Sequence, residues 1–207
     1  RIESSTIGDI RNFLDLKNSI SNIQPQIVIH MAAQPLVRES YKNPLLNYET
    51  NVIGTVNLFE TIRNISSIKS VVNITTDKCY ENKESLVPYK ESDRIGGYDP
   101  YSSSKACVEL ISSSYRQSFF NEANIYLASV RAGNVIGGGD WAVDRLIPDF
   151  FRAISLGKKI SLRSPKAIRP WQHVIEPLAG YLMLAEKLYT HGESFAESWN
   201  FGPNVSD

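Results

Sequence analysis

The stretch KSVVNITTDKCY (69–80) is the starting point for assigning the fold, because an apolar strand of the kind found inside a sheet ends there in a cluster of polar side chains. Its first part, KSVVNIT (69–75), is mostly apolar and β-branched, which is typical of a strand covered on both faces. Its continuation, TTDK (75–78), carries two hydroxyls, a carboxylate and an ammonium. Such a polar strand end is either a solvated edge or the mouth of an active site, and the rest of the sequence must distinguish the two.

The composition is that of a globular protein and narrows the possible classes of function. The chain has 207 residues, of which 42% are hydrophobic and 21% charged, so it can bury a sizeable core. Its 22 basic and 22 acidic residues balance, and we expect neither nucleic acid nor an acidic membrane as a partner. Two cysteines are too few for a disulfide framework and fit a reducing compartment. No apolar run approaches the ~20 residues of a membrane-spanning helix.

Strand-like and helix-like segments alternate along the chain. Apolar runs predict strands at 26–32, 69–75, 124–132 and 159–163, and helical patterns cover 43–65, 99–120, 144–156 and 175–189. Two helices begin with a capping residue followed by proline, at Asn43-Pro44 and Asp99-Pro100. Regular alternation favours a parallel sheet with right-handed crossovers. We therefore predict an α/β fold with a doubly wound parallel sheet over residues 1–133 and part of a smaller domain over 134–207.

Small or polar residues follow each of the three longer strands. HMAAQ (30–34) follows the first, TTDK (75–78) the second and RAGN (131–134) the third. The carboxyl ends of parallel strands meet at one edge of the sheet, where ligands bind in open α/β folds. We therefore expect the three clusters to converge on one crevice, which favours an active site over a solvated edge.

A tyrosine and a lysine in DPYSSSK (99–105) supply a candidate acid–base pair. If Asp99 caps the helix, Tyr101 and Lys105 lie on one helix face, close enough to touch. A phenol, with a reference pKa of ~10, is a poor base near neutral pH. A neighbouring ammonium stabilises the phenolate and lowers its pKa, so we expect Tyr101 to accept a proton from a substrate hydroxyl. The alternative is a tyrosine and a lysine on a solvated helix face, since this spacing is common by chance.

Several longer motifs together resemble one family. They are HMAAQPLVRESYKNP (30–44), NVIGTVNLFE (51–60), NITTDKCY (73–80), GGYDPYSSSKACVEL (96–110), RAGNVIGGGDWAVDRLIP (131–148) and AIRPWQHVIEPL (167–178). Over essentially its whole length, the chain is similar to CDP-glucose 4,6-dehydratases, a family of the extended short-chain dehydrogenase/reductase superfamily. The resemblance implies a Rossmann-like NAD-binding domain over 1–133, incomplete at its N-terminus, and a partial nucleotide-sugar-binding region over 134–207.

The resemblance also implies a reaction, the NAD-dependent conversion of CDP-D-glucose to CDP-4-keto-6-deoxy-D-glucose. Tyr101, assisted by Lys105, would take the proton of the 4-hydroxyl while NAD⁺ accepts the C4 hydride. Water would then leave across C5 and C6, and the hydride would return to C6. Thr76 would hydrogen-bond the substrate near O4, and Asp77, kept protonated by a dry site, would be the acid for the departing hydroxyl.

Lys78 departs from the pattern of related dTDP-glucose and GDP-mannose dehydratases, which place a glutamate here as the base for the C5 proton. An ammonium cannot accept a proton. Lys78 is therefore either deprotonated through burial or an electrostatic support for the enolate, and both alternatives stay open at this point. Without the family context, Asp77 and Lys78 would be interpreted as a solvated ion pair at a strand end.

Binding residues are assigned by the same resemblance. NAD would contact Asp9, Ile10, Met31, Ala32, Ala33, Thr50, Tyr101 and Lys105, and the nucleotide sugar would contact Gln34, Asn134, Arg145 and Arg169. Small residues at a strand end let the backbone approach a cofactor, and arginine can bind phosphate with two hydrogen bonds. A helix cap at Asp9, close packing at Ala32 and Ala33, and surface arginines are the structural alternatives. The three histidines lack zinc-ligand spacing, so we expect no metal.

The glycine-rich turn G-x-x-G-x-x-G, which binds pyrophosphate in this superfamily, does not occur in the sequence. We therefore expect the chain to be part of a longer polypeptide, and this segment alone to be inactive or a poor binder of NAD. Two other classes stay open: another nucleotide-sugar dehydratase or epimerase of the superfamily, and a binding module without turnover. The set of Thr76, Asp77 and Tyr101 with Lys105 favours an enzyme.

The resemblance further implies an oligomer and a cellular role. Helices 43–65 and 99–120 resemble the pair that forms a four-helix bundle between subunits in this superfamily, which implies a homodimer or homotetramer. Their apolar positions fit an intramolecular core equally well. The family also implies a cytoplasmic enzyme that makes deoxysugars for bacterial surface polysaccharide, such as the O-antigen of lipopolysaccharide.

Overall fold

Parallel strands form the two sheets of the structure, a computed structural model that describes residues 2–83, 87–160, 162 and 164–203. The strands are β1 (Ile27–His30), β2 (Ser70–Ile74), β3 (Tyr126–Ala132), β4 (Val135–Ile136), β5 (Gln172–His173) and β6 (Ser198–Phe201). The main sheet has the order β1, β2, β3, β6, with every neighbouring pair parallel. The second sheet pairs β4 with β5. The carboxyl ends of the main strands therefore share one edge.

Helices connect these strands. They are α1 (Phe13–Ile23), α2 (Val37–Lys42), α3 (Pro44–Tyr48), α4 (Gly54–Ile62), α5 (Pro100–Tyr115), α6 (Leu146–Ser155) and α7 (Ile175–His191). A π-helical turn at Glu49–Ile53 joins α3 to α4, and another at Arg116–Phe120 extends α5. The Asp99 side chain accepts a hydrogen bond from Ser102 N at 2.9 Å and so caps α5, as predicted.

The main sheet is apolar on both faces, because alternate residues of each strand point to opposite sides. Val71 of β2 is in register with Leu127 of β3, and both pack with α4 and the end of α5. The next pair, Val72 and Ala128, packs against α7 on the other face. All four side chains are fully buried. This two-sided burial accounts for the continuous apolar sequence of β2.

The predicted fold class is confirmed, since helices cover both faces of a parallel sheet. The three longer predicted strands are present as β1, β2 and β3, slightly shorter than expected, and the helices predicted to begin near residues 99, 144 and 175 are α5, α6 and α7. The predicted strand 159–163 falls partly outside the described residues, and its described positions 159, 160 and 162 are not in a strand.

The helix predicted over 43–65 is present over 44–62 as the unbroken run of α3, the π-helical turn and α4. A separate helix, α2, precedes it, and Asn43 does not cap α3 with its side chain. The backbone N–H of Asn43 instead donates to the carbonyl of Glu39 at 2.9 Å and ends α2. Pro44 still takes the first helical position of α3, as predicted.

Two elements of the second predicted segment, 134–207, are built into the main sheet and its helical cover. β6 pairs with β3, where Ser198 is in register with Ser129, and α7 covers the face that carries Val72. The division into 1–133 and 134–207 stays a prediction, and residues 204–207 lie outside the described part of the chain.

Truncating Leu127 should destabilise the protein strongly. Leu127→Ala leaves a cavity between the sheet and α4, and substitutions of this kind cost about 2–5 kcal/mol. The free energy of unfolding, measured by urea denaturation, should fall by that amount. Leu182→Ala, at a position of α7 that is 63% exposed, is the matched control and should change it by less than about 0.5 kcal/mol. Equal losses for the two variants would contradict this core.

Candidate active site

The segment Thr76–Cys79, which we call the β2 turn, follows the central strand β2. Thr76 is extended, and its hydroxyl donates to Asp77 Oδ1 at 3.1 Å and accepts from Lys78 N at 3.4 Å. The Thr76 hydroxyl thus makes two hydrogen bonds within the turn and stabilises its conformation. Thr76, Asp77 and Lys78 line one cleft together with Tyr101. The structure therefore brings together four of the five predicted catalytic residues.

Tyr101 and the fifth, Lys105, are both buried on α5. The backbone N–H of Tyr101 donates to Ser40 Oγ at 3.1 Å, and Lys105 Nζ donates to the carbonyl of Ile74 at 3.2 Å. Burial raises the pKa of Tyr101 to about 12, although a hydrogen bond with Thr76 opposes the rise. Burial lowers the pKa of Lys105 to about 8. Both shifts favour the uncharged forms of these groups.

The sequence led us to expect a lowered pKa for the Tyr101 phenol, whereas in this structure burial raises that pKa. Removal of the phenol from water is the largest cause, and a low-dielectric interior disfavours the phenolate. The Lys105 ammonium is hydrogen-bonded to the end of β2, at Ile74. The role of Tyr101 as a base stays a prediction.

Asp77 and Lys78 differ in their surroundings. Burial raises the pKa of Asp77, opposed by its hydrogen bond with Thr76 and by the charges of Lys78 and Arg169. The raised pKa favours the protonated carboxyl, which is the form that an acid needs. Lys78 is exposed, with Nζ 6.0 Å from the ring centroid of Tyr101. The alternative in which burial deprotonates Lys78 therefore lacks support, and the electrostatic alternative remains.

The cleft has a volume of about 980 Å³ and contains most of the predicted substrate contacts. Its lining includes Asn134, Gly137, Gly138, Gly139, Trp141, Arg145, Arg169 and Trp171. A Cβ added at Gly138 or Gly139 would meet nothing within 4 Å, so the backbone of this loop is accessible. Arg145 pairs with Asp140 at 2.8 Å, and the exposed Arg169 donates to its neighbour's carbonyl. Accessible backbone amides and guanidinium groups together can bind phosphate.

The predicted cofactor residues other than Tyr101 lie outside this cleft. The segment after β1 contains Met31, Ala32 and Ala33, and Thr50 lies in the π-helical turn after α3. Asp9 forms an ion pair with Arg11 at 2.6 Å, and this hydrogen-bonded contact lowers the pKa of Asp9 to about 2. Ile10 packs against Gly54 of α4 at the edge of the core. The assignment of these residues to NAD stays a prediction.

Gln34, a predicted substrate contact, also lies outside the cleft and folds back on its own loop. Its Nε2 donates to the carbonyl of Leu36 at 3.1 Å, and its backbone N–H donates to Asn51 Oδ1 at 2.8 Å. The fully buried Asn51 also donates to Ser104 Oγ on α5 at 2.9 Å. Asn51 therefore ties the loop after β1 to the helix of Tyr101. This contact of Asn51 was not predicted from the sequence, although Asn47 and Asn51 are a polar i,i+4 pair within an apolar helix.

A buried ion pair between Glu109 of α5 and Arg131 of β3, at 2.7 Å, was also missed. Two signals in the sequence point to it. Glu109 follows Lys105 by four residues and so shares its helix face, and Arg131 interrupts the apolar run of β3. Charges at positions that otherwise face a core are paired in folded proteins.

Among residues 2–83, 87–160, 162 and 164–203, no group of three or more His, Cys, Asp or Glu side chains is placed to hold a metal ion. In the same part of the chain, no helix combines the length and apolar character needed to cross a membrane. His30 is an interior residue, 3.1 Å from Thr55 Oγ1, and burial lowers its pKa to about 3.

A buried tyrosine–lysine pair beside a cleft, at the carboxyl edge of a parallel sheet with helices on both faces, places the chain among Rossmann-like proteins of the short-chain dehydrogenase/reductase type. A family model described as GDP-mannose 4,6 dehydratase matches residues 4–196. The chain belongs to this family.

Individual relatives agree with this placement. The chain is 58% identical to a CDP-glucose 4,6-dehydratase of Salmonella typhimurium, over 98% of this chain and 58% of that protein. It is 27% identical to a UDP-glucose 4-epimerase of Pisum sativum, over 95% of this chain and 60% of that protein. A dTDP-glucose 4,6-dehydratase from Streptomyces venezuelae, solved with NAD and TYD bound, matches with a TM-score of 0.81 at 25% identity, over 96% of this chain and 57% of that one. The chain thus spans less than two thirds of the length of these relatives.

Replacing Lys105 should reveal its burial as a pH-dependent difference in stability. The pKa of Lys105 falls from 10.5 in the unfolded chain to about 8 in the structure, so between these pH values the unfolded state binds more protons. The free energy of unfolding should therefore rise with pH across this window, by about 3 kcal/mol relative to Lys105→Met, since one pKa unit is ~1.4 kcal/mol. Urea denaturation of both proteins at several pH values measures the difference. A difference that does not change with pH would contradict the lowered pKa.

Proposed function

We propose that the protein carrying this chain is an NAD-dependent 4,6-dehydratase that converts CDP-D-glucose to CDP-4-keto-6-deoxy-D-glucose. The observation that carries the proposal is Asp77, whose carboxyl shares a cleft with Tyr101 and has a raised pKa because it is partly removed from water. Loss of water from the sugar needs such an acid, whereas inversion at C4 does not. The 58% identity to a Salmonella CDP-glucose 4,6-dehydratase supports both the reaction and the nucleotide.

The residues present fit the reactive side of a nicotinamide cofactor. Lys105 has three N–H donors, of which one is directed at the Ile74 carbonyl, so the ammonium can also bind the hydroxyls of a ribose. Ala32 and Ala33 leave the backbone after β1 accessible. The glycine-rich turn that binds pyrophosphate is not part of this sequence, so the proposal assigns only part of the cofactor site to this chain.

A nicotinamide held beside Tyr101 and Lys105 would supply the chemistry of a hydride acceptor and donor for C4 and C6 of the glucose. Tyr101 would take the proton of the 4-hydroxyl, and its pKa of about 12 means that the phenolate needs a nearby positive charge. Lys105, with a pKa of about 8, is mostly protonated at neutral pH and can supply that charge in dry surroundings, where it acts strongly. Thr76, which lines the cleft together with Tyr101, would contact the 4-oxygen as the ketone forms.

Elimination would follow from the 4-ketone, which makes the C5 hydrogen acidic. The C5 proton would pass to a water molecule in the open cleft, and the C6 hydroxyl would depart as water when Asp77 donates its proton to it, leaving a C5–C6 double bond. The exposed Lys78 would stabilise the enolate by its charge. Return of the hydride to C6 and of a proton to C5 completes a sugar that has lost one water.

The diphosphate would bind at the arginine side of the cleft. Arg145 and Arg169 carry planar guanidinium groups suited to phosphate oxygens. Because Arg145 is paired with Asp140, a phosphate would have to share or replace that partner. Asn134, at the start of the glycine-rich loop, would contact the sugar.

We also propose an oligomeric state and a cellular role for the protein. Exposed apolar residues such as Leu45 of α3 and Leu110 of α5 are available for a homodimer or homotetramer. A cytoplasmic role in deoxysugar synthesis for O-antigen lipopolysaccharide would follow from the reaction. These parts rest on the family rather than on contacts in the chain.

Substituting the proposed acid and base should abolish dehydration. In the full-length gene product, Tyr101→Phe and Asp77→Asn should each lower kcat for CDP-glucose by about 10²–10⁴-fold, the usual contribution of general acid–base groups. Mass spectrometry of the nucleotide sugar, with NAD⁺ present, measures the loss of one water. Tyr98→Phe is the matched control, because Tyr98 is 98% exposed three residues earlier, and it should keep full activity.

The other outcomes of this assay separate the alternatives. Water loss from a dTDP- or GDP-hexose in place of CDP-glucose would retain the mechanism and overturn the nucleotide. Epimerisation without water loss would exclude Asp77 as an elimination acid. Bound cofactor without any turnover would favour a binding module.

Removing the Arg169 guanidinium should weaken substrate binding more than chemistry. Arg169→Met should raise the KM for CDP-glucose by about 10–100-fold, since a hydrogen bond to a charged group contributes ~1.5–3 kcal/mol. The value of kcat should change much less. Lys166→Met, a neighbouring exposed cation that does not line the cleft, is the control. An unchanged KM in Arg169→Met would remove Arg169 from the diphosphate site.

A further inference from the structure

The Glu109–Arg131 ion pair is buried beneath the cleft, with side chains that are 2% and 5% exposed. Both oxygens of the Glu109 carboxylate are used. Thr75 Oγ1 donates to Oε1, while Ser129 Oγ at 2.8 Å and Arg131 at 2.7 Å donate to Oε2, joined by Ser198 Oγ at 3.2 Å. A single carboxylate on α5 thus contacts three neighbouring strands of the sheet, at the residue after β2, in the middle of β3 and at the start of β6.

Glu109 is hydrogen-bonded to Thr75, the residue directly before the β2 turn. Thr75 directly precedes Thr76, and its backbone N–H also donates to the carbonyl of Val130 on β3 at 2.8 Å. Its side chain points into the interior, whereas Thr76 and Asp77 line the cleft. The start of the turn is therefore fixed from the side opposite to the substrate.

Arg131 is hydrogen-bonded to Tyr80, the residue directly after the β2 turn. Its Nη1 donates to the Tyr80 hydroxyl at 2.7 Å and to the Glu91 carbonyl at 3.0 Å, and its guanidinium lies 5.0 Å from the Tyr80 ring centroid. The Tyr80 hydroxyl in turn donates to Asn200 Oδ1 of β6 at 2.6 Å. The two ends of the turn are thus bound by the two partners of one ion pair.

We propose that Glu109 and Arg131 are positioning residues that set the location of Asp77 relative to Tyr101 and so control the elimination step. This inference rests on the proposed dehydratase function. Tyr101, Lys105 and Glu109 follow one another at intervals of four residues on α5, so the helix that carries the base also anchors the turn that carries the acid. Small displacements of reacting groups reduce rates strongly, by ~10²-fold for about 1 Å.

The step that fails distinguishes positioning from a general loss of folded protein. Proton transfer at C4 depends on Tyr101 and Lys105, which are held on α5 itself, whereas elimination depends on Asp77 in the β2 turn. Disturbing the turn through Thr75 or Tyr80 keeps the Glu109 charge, which raises the pKa of Lys105, and should therefore leave oxidation at C4 nearly intact and slow the loss of water. The 4-keto sugar that has lost two hydrogens, but not yet water, should then accumulate.

The test uses the full-length protein with NAD⁺ and CDP-glucose, rapid quenching and mass spectrometry of the sugar. For Glu109→Gln we expect the ratio of 4-keto intermediate to dehydrated product to rise at least 10-fold. Ser112→Ala is the matched control, because Ser112 is buried on the same helix and bonds to Asn73 at 2.9 Å, away from the turn. It should leave the ratio unchanged.

Milder variants keep the proposal testable if Glu109→Gln does not fold. Thr75→Val and Tyr80→Phe each remove one hydroxyl at one end of the turn and preserve the shape of the side chain. Each should raise the same ratio about 3- to 10-fold, and Thr75→Ser, which keeps the hydroxyl, should restore it.

Three outcomes decide the question. A raised ratio in the ion-pair and hydroxyl variants, with a normal ratio in Ser112→Ala, supports the positioning role. Folded Thr75→Val and Tyr80→Phe proteins with a normal ratio would overturn it, even if their stability falls. If the unmodified protein dehydrates no nucleotide sugar, the proposed function fails first, and that failure is seen before any variant is compared.

Discussion

Much of this structure depends on the hydrogen bonds between buried polar groups of α5 and of the main sheet. The face of helix α5 that packs on the sheet is partly polar. It lies against a row of polar side chains that are in register across the strands. The row consists of His30, Asn73, Ser129 and Ser198. Asn73 bonds to Ser112, while Ser129 and Ser198 bond to Glu109. Unpaired, such groups would each cost about 1–3 kcal/mol, so their pairing fixes the helix on the sheet in one register.

This polar layer also sets the chemistry of the cleft above it. The apolar clusters on both faces of the sheet exclude water, while the polar layer determines which groups remain beside the cleft. Tyr101 and Asp77 both have raised pKa values and Lys105 a lowered one, with burial as the largest cause in each case. Burial thus favours the protonated form of the Asp77 carboxyl and the neutral form of the Tyr101 phenol. The architecture and the protonation states thus have a common origin.

The sequence predicted the parts of the structure that depend on local pattern. β2 and β3 were visible as apolar runs, and the cap at Asp99 was visible with the tyrosine–lysine spacing that follows it. The short elements α2 and β6 were missed, because their stability comes from tertiary packing rather than from periodicity. The Glu109–Arg131 contact depends on how α5 lies over β3, which no local pattern specifies. The pKa of Tyr101 was mispredicted because the depth of burial is a property of the whole fold.

The Glu109–Arg131 pair has a consequence for how sequences of this fold can diverge. Losing either partner alone leaves a buried charge without compensation, at a cost of about 3–5 kcal/mol, which is a large part of the stability of a typical domain. Replacing both together by apolar residues of similar volume avoids that cost. The two positions are therefore expected to change jointly during evolution or to remain fixed. Thr75 and Tyr80 should be coupled to these positions, since Thr75 is hydrogen-bonded to Glu109 and Tyr80 to Arg131.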